Sequence, residues 1–284
     1  MKFFKCVLFL GLLSTGFIKA QDQKAIQWGL HPSLGLTYTN QSQSSSEAEN
    51  LEWLLNLQAN FNYPGENFQF DSDLFLQFGQ IVAARQHPHK TQDNFTLNLM
   101  PSIRLIESPR IRLFWQTKVE TQLKEGYLGN QQTEFLDPGF LTHTLFVGNK
   151  NYLITQTEDQ NFMIVYGIGY SFQQVIKKNY QLTSETHPSS NVEYIDGPTA
   201  VFNLTFTKKL NRLVDASVSL NSLLLAKKDF LKSTSNSRFS SLLAANLNVG
   251  LFSIQYTNRL VYDKELSVRR QLEQSLVLGL KFDL

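Results

Sequence analysis

From Leu51 to Tyr63 the chain alternates with a period of two. Leu51, Trp53, Leu55, Leu57, Ala59, Phe61 and Tyr63 form one set; Glu52, Leu54, Asn56, Gln58, Asn60 and Asn62 form the other. Successive side chains of a strand point to opposite faces, so this stretch has one apolar and one polar face. A helix would need an apolar period near 3.6. Pro64-Gly65-Glu66-Asn67 then predicts a tight turn. The next run places Phe68, Phe70, Leu74, Leu76 and Phe78 on one face. Folding the two runs together sets Phe61 opposite Phe70, Leu57 opposite Leu74 and Trp53 opposite Phe78. The same register sets Asn60 against Asp71 and Gln58 against Asp73. It keeps both faces clean, whereas a one-residue slip would mix them.

The C-terminal end repeats the pattern. Phe252, Ile254, Tyr256, Leu260 and Tyr262 alternate with Ser253, Gln255, Thr257 and Arg259. Leu272, Leu276, Leu278, Leu280, Phe282 and Leu284 alternate with Glu273, Ser275, Gly279, Lys281 and Asp283. Pairing sets Leu260 against Leu272 and Tyr256 against Leu276. It also makes two opposite-charge pairs across the strands, Arg259 with Glu273 and Asp263 with Arg269.

Eight further strands are predicted at 27–39, 95–107, 111–123, 139–156, 162–176, 198–208, 215–226 and 238–249. Their connections alternate in length. Short ones hold Pro64-Gly65, Ser108-Pro109, Glu158-Asp159-Gln160, Asn211-Arg212 and Gly250; long polar ones centre on 41–50, 83–93, 124–137, 177–197 and 227–237. Soluble strands peak at about five to six residues. Ten residues at about 3.3 Å each, tilted about 40°, rise roughly 25 Å, the height of the apolar band of a membrane barrel. The fold expected is therefore all-β: one transmembrane, antiparallel, up-and-down barrel of about 12 strands, spanning residues 21–284. With the N-terminus periplasmic, every short turn falls on the periplasmic side.

Lys2 and Lys5, an apolar run from Cys6 to Phe17, and Ile18-Lys19-Ala20 before polar Gln21 have the order of a secretory signal peptide, removed after Ala20. Cys6 is the only cysteine, so the mature chain offers no disulfide, thiolate or Cys-based metal site. Without Lys2, Lys5 and Lys19 the 26 basic residues become 23, against 24 acidic ones. No broad positive field attracts nucleic acid. The mean hydropathy of −0.22 is too polar for a helical membrane protein, yet 22 phenylalanines are present. That combination suits strands with one face to lipid and one to water. No cofactor is implied.

Two stretches carry a resemblance. One is Lys118-Val119-Glu120-Thr121-Gln122 with Gly126-Tyr127 and Glu134-Phe135-Leu136-Asp137-Pro138. The other is Leu260-Val261-Tyr262-Asp263, then Gln271-Leu272-Glu273 and Leu278-Gly279-Leu280. From Arg110 to Leu284 the chain resembles a Bacteroidota outer-membrane β-barrel family catalogued as a domain of unknown function. The resemblance implies a barrel in the cell outer membrane and no activity.

Candidate chemistry is sparse. His87-Pro88-His89 lacks the neighbouring carboxylates of a metal site and reads as solvated loop. His143 has no fixed partner in sequence and reads as a satisfied wall or lumen histidine. Gly167-Ile168-Gly169 lacks the strand–turn–helix context of a nucleotide loop and reads as small residues for close packing or bending. The inward charges say more. Asp71, Asp73, Arg104 and Arg112 map near the periplasmic ends of adjacent strands, and Lys118 and Glu120 stand higher in the same wall. They either set ion preference in a pore or satisfy one another in a closed lumen. Three functions follow in order: a narrow porin-like pore for small polar solutes; a structural or accessory envelope barrel with a filled lumen, binding a protein partner through its loops; and an outer-membrane lipid enzyme, for which no constellation assembles. The partners expected are outer-membrane lipid and an envelope protein.

Overall fold

The computed structural model describes residues 26–43, 46–83, 89–107, 111–128, 131–133, 135–137, 139–153, 160–176, 192–226, 237–263 and 271–281. The predicted leader 1–20, His87 and Arg269 lie outside them, as does the side chain of His89. The strands are β1 (Gln27–Gln43), β2 (Ser46–Tyr63), β3 (Phe68–Ala83), β4 (His89–Ile106), β5 (Ile111–Thr121), β6 (Gly126–Leu128), β7 (Gln131–Thr133), β8 (Gly139–Tyr152), β9 (Gln160–Ile176), β10 (Val192–Lys209), β11 (Val214–Ala226), β12 (Ser237–Val249), β13 (Phe252–Asp263) and β14 (Gln271–Lys281). Twelve of them close into an antiparallel barrel in chain order, β1 meeting β14 at the seam; β6 and β7 form a separate hairpin between β5 and β8. The fold is the all-β up-and-down barrel that the alternation predicts.

Alternation sorts the side chains. Trp28, Leu36, Trp115, Ile168, Leu276 and Leu278 are exposed on the outer surface. The lumen set is buried and mostly polar. Outside, Trp53 meets Phe78 at 5.5 Å, Phe61 meets Phe70 at 5.9 Å, and Phe172 stacks on Tyr194 at 5.5 Å. Among the described residues no helix is long and apolar enough to cross a membrane.

Three local expectations need correcting. In the β2–β3 hairpin Phe61 lies opposite Ser72, Leu57 opposite Leu76 and Trp53 opposite Gln80, with Asn60 against Asp73 and Asn62 against Asp71. The register sits two residues from the expected one because the turn centres on Glu66-Asn67 rather than Gly65-Glu66. A two-residue shift preserves both faces, and Trp53–Phe78 and Phe61–Phe70 become diagonal contacts within reach of large rings. Next, the predicted loop 41–50 is strand on both sides: β1 and β2 stay paired out to Gln43 and Ser46. Strand is likewise longer than predicted in β4 and β10, which begin at His89 and Val192. Backbone pairing satisfies donors and acceptors wherever two polar segments run side by side, whatever their hydropathy. Lastly, part of the predicted loop 124–137 pairs as β6 and β7.

The closing hairpin has the expected register, Arg259 opposite Glu273 and Leu260 opposite Leu272. The β12–β13 turn consists of Gly250 and Leu251, and Gly250 has φ of 59°. A first turn position with positive φ matches the right-handed strand twist and selects glycine.

Gly167 and Gly169 face the lumen beside Phe146. A Cβ on Gly169 would lie 2.0 Å from the Leu145 carbonyl oxygen and 2.5 Å from Phe146 Cα; one on Gly167 would lie 2.6 Å from the Phe146 ring. The small residues let β8 and β9 close while Phe146 stacks on Phe114, centroids 4.6 Å apart and planes 4° apart. Gly169→Ala is expected to cost at least ~2 kcal/mol, an overpacking penalty against rigid backbone. Chemical unfolding of the refolded barrel measures it; a change below ~0.5 kcal/mol would show that the strands yield freely.

Candidate functional site

The described strands enclose a lumen, and its two ends differ. We use "turn end" for the end with the short connections and "loop end" for the other.

At the turn end Asp71 projects inward from β3. Its carboxylate accepts hydrogen bonds from Lys150 Nζ of β8 at 2.9 and 2.8 Å, and from the Asn62 amide. The Lys150 and Asp71 side chains are 1% and 8% exposed. Arg112 lies close by but serves the backbone. Its guanidinium donates to the carbonyls of Glu66 (3.2 Å), Asn67 (3.1 Å) and Ser102 (3.3 Å), and to Ser102 Oγ (3.1 Å). Arg104, opposite Arg112 in register, pairs with Glu66 at 3.2 Å. Both arginines therefore fasten the β2–β3 turn to the barrel rim. Asp73 accepts from Asn98 Nδ2 at 3.4 Å, and Gln116 donates to Asn98 Oδ1 at 2.8 Å.

Towards the loop end, Glu120 on β5 stands among three cations. Lys118 Nζ is 3.1 Å away on the same strand, Arg238 Nη2 of β12 is 3.4 Å away, and Arg259 Nη2 of β13 is 3.9 Å away. The Glu120 and Arg238 side chains are 6% and 2% exposed. Arg238 also lies 4.5 Å above the Phe140 ring, a cation–π contact. Arg259 thus faces Glu120 across the lumen, and Glu273 is its neighbour along the β13–β14 ladder.

These contacts fix the lumen's shape. In ring order Arg238 stands five strands from Glu120, and Arg259 six, which is diametrically opposite. Twelve strands about 4.8 Å apart, tilted about 40°, make a circular barrel about 24 Å across. Side chains from opposed circular walls would not meet, so the cross-section is drawn in along this axis. Two other contacts span four strands: Asn246 Nδ2 to Gln58 Oε1 at 3.1 Å, and Asn203 Nδ2 to Met100 Sδ at 3.9 Å. Apolar side chains fill much of the rest. Phe140, Val175, Ile195, Leu223, Leu225 and Val261 form a buried cluster near the loop end. Met100, Phe114, Phe146, Val165 and Val201 form another below it.

The six inward charges singled out in the sequence thus fall into two groups, Asp71, Asp73, Arg104 and Arg112 at the turn end and Lys118 with Glu120 near the loop end. Sequence reasoning missed Lys150 and Arg238, although each has the parity of a lumen residue on its strand. His143 faces outward, its Nδ1 3.1 Å from Thr117 Oγ1 and its ring 6.4 Å from Trp115. Among the described residues no group of three His, Cys, Asp or Glu side chains could hold a metal ion.

Comparison with known proteins adds the following. No curated protein matches the chain. Among solved structures, the translocator domain of the autotransporter NalP from Neisseria meningitidis is similar at TM-score 0.35 and 10% identity, covering 99% of this chain and 95% of that one. An outer membrane channel from Pseudomonas putida F1 is similar at TM-score 0.35 and 12% identity, covering 94% and 97%. The β domain of the Bordetella autotransporter BrkA is similar at TM-score 0.32 and 9% identity, covering 92% and 100%. A family described as protein of unknown function (DUF3078) matches residues 36–127. That span takes in Lys118–Gln122 and Gly126-Tyr127 of the resemblance drawn above, and it leaves out Glu134–Pro138 and the closing hairpin.

Proposed function

We propose that this chain is an outer-membrane barrel with its lumen sealed towards the loop end, a structural or accessory component of the envelope rather than an open porin. The observation that carries the reading is the contact of Glu120 with Arg238 and Arg259 from the far side of the barrel. An open channel of twelve strands would keep those walls apart. The apolar outer surface supports a lipid setting, because a soluble barrel turns its apolar face inward. Strands of 11 to 18 residues reach or exceed the length that crossing needs. A protein partner engaged from the loop end would give such a barrel its role.

The other reading, a narrow pore for small polar solutes, requires the Glu120 contacts to part. Single-channel recording of the refolded protein in a planar bilayer separates the two. Folded protein is expected to give no discrete steps. Regular steps of one size from folded protein would overturn the sealed barrel and favour the pore.

A further inference from the structure

The two halves of the lumen wall differ in how well their polar groups are satisfied. On β8 to β10 apolar side chains pack around Phe146 and Val165, and Thr144 with Ser171 and Gln173 with Thr142 bond to each other, leaving Gln173 Oε1 and Tyr152 Oη without a partner. On β2 and β3 it is built of amides and carboxylates. Asn56, Gln58, Asn60 and Asn62 follow one another on the inner face of β2. Gln69, Asp71, Asp73 and Gln77 do so on β3.

Several of these groups are buried with nothing to bond. Asn56 is fully buried, and neither of its side-chain amide atoms has a partner. Gln77, directly opposite Asn56 in register, is 2% exposed and has an unpartnered Nε2. Gln58 Nε2, Asn62 Oδ1 and Gln69 Oε1 are in the same condition. They form a trail from the turn end up to the Asn56–Gln77 pair. Nearly all buried polar groups in folded proteins find a partner, protein or water.

Lumen-facing Asn60 and Asp73 point the same way. They lie inside the ring of strands, opposite each other in register, and both are exposed to solvent. Free space therefore reaches this wall from the turn end. Above it the Glu120 cluster and the apolar residues close the passage.

We propose that the β2–β3 wall lines a water-filled inlet, open at the turn end past Asn60 and Asp73 and ending at Gln58, short of the fully buried Asn56–Gln77 pair, which admits water and small neutral polar solutes. Amides both donate and accept, so they suit molecules that do the same. The inlet rests on the reading of a lumen sealed at its loop end.

The near absence of thiols makes a direct test simple. In the full chain carrying Cys6→Ser, single cysteines are placed as Asn60→Cys, Gln58→Cys, Asn56→Cys and, as a dry control, Val165→Cys. Each barrel is refolded into sealed vesicles, and folding is verified by heat-dependent gel mobility. A small, water-soluble, membrane-impermeant methanethiosulfonate is then added on one side or the other, and labelling is followed by mass spectrometry. The cysteines at 60 and 58 are expected to react at least tenfold faster than those at 56 and 165, and only from the turn side. Labelling at 60 and 58 as slow as at 165 would overturn the inlet while leaving the loop-end seal intact. Fast labelling of 56 from both sides would overturn the blind end and the seal together. Should Asn56→Cys not fold, Gln58→Cys alone decides between these outcomes.

Discussion

Lys150→Met is expected to lower the unfolding free energy of the barrel by about 3–5 kcal/mol, the usual penalty for stripping one partner from a buried ion pair. Its ammonium gives the Asp71 carboxylate two hydrogen bonds of normal length, in a place where both side chains are almost wholly enclosed. Removing the cation leaves the carboxylate with the Asn62 amide. The double variant Asp71→Asn/Lys150→Met is expected to recover most of the loss, since a neutral pair of similar shape needs no counter-charge. Urea titration of the refolded protein in detergent micelles reads both values. A single-variant loss below ~1 kcal/mol would mean that water already solvates Asp71 well.

Glu120→Gln is expected to be at least as damaging, by about 3–5 kcal/mol on the same grounds. One carboxylate answers Lys118, Arg238 and Arg259, and a neutral amide would leave buried cations facing one another. Arg238→Met should cost less, because Glu120 would keep Lys118 beside it and the Met chain would still cover the Phe140 ring. The order of the two variants in urea midpoint is the diagnostic. If Arg238→Met were the worse, the cation–π contact and not the ion cluster would hold the walls together.

Much of this architecture is legible in the residues themselves. Alternation in Leu51–Tyr63 or Phe252–Tyr262 assigns each side chain to the outer surface or the lumen, and the turns mark where the chain reverses. The Arg259–Glu273 register follows because it keeps the apolar faces of β13 and β14 together. The β2–β3 register is harder: a turn around Pro64 can centre on either of two peptide positions without disturbing a face. The extension of β1 and β2 through 41–50 is hidden for another reason. Outside the apolar band both faces meet water, so the pattern that reveals a strand disappears.

The lumen contacts are the least legible part. Parity alone would have placed Lys150 and Arg238 inside. That Arg238 meets Glu120 depends on which strands confront each other across the barrel and at what height. Tilt and shear set both, and neither is written in any short stretch of sequence. Asp71 illustrates the difficulty, since Arg104 and Arg112 stand nearer to it in sequence than Lys150, yet the geometry of the rim commits Arg112 to backbone carbonyls.

The seam between β1 and β14 has its own consequence. Among the described residues it is held by Ser33–Lys281, Leu34–Leu280 and Gly35–Gly279, whereas its neighbours pair along most of their length. These partners come from opposite ends of the chain, so the seam is the most non-local pairing in the molecule. Closing so long a loop is entropically the most costly zippering step, and few bonds reward it. Assembly should therefore run as a growing sheet that curls and locks last at this line. The same line should part first under load, a hinge in a wall that elsewhere behaves as one continuous weave.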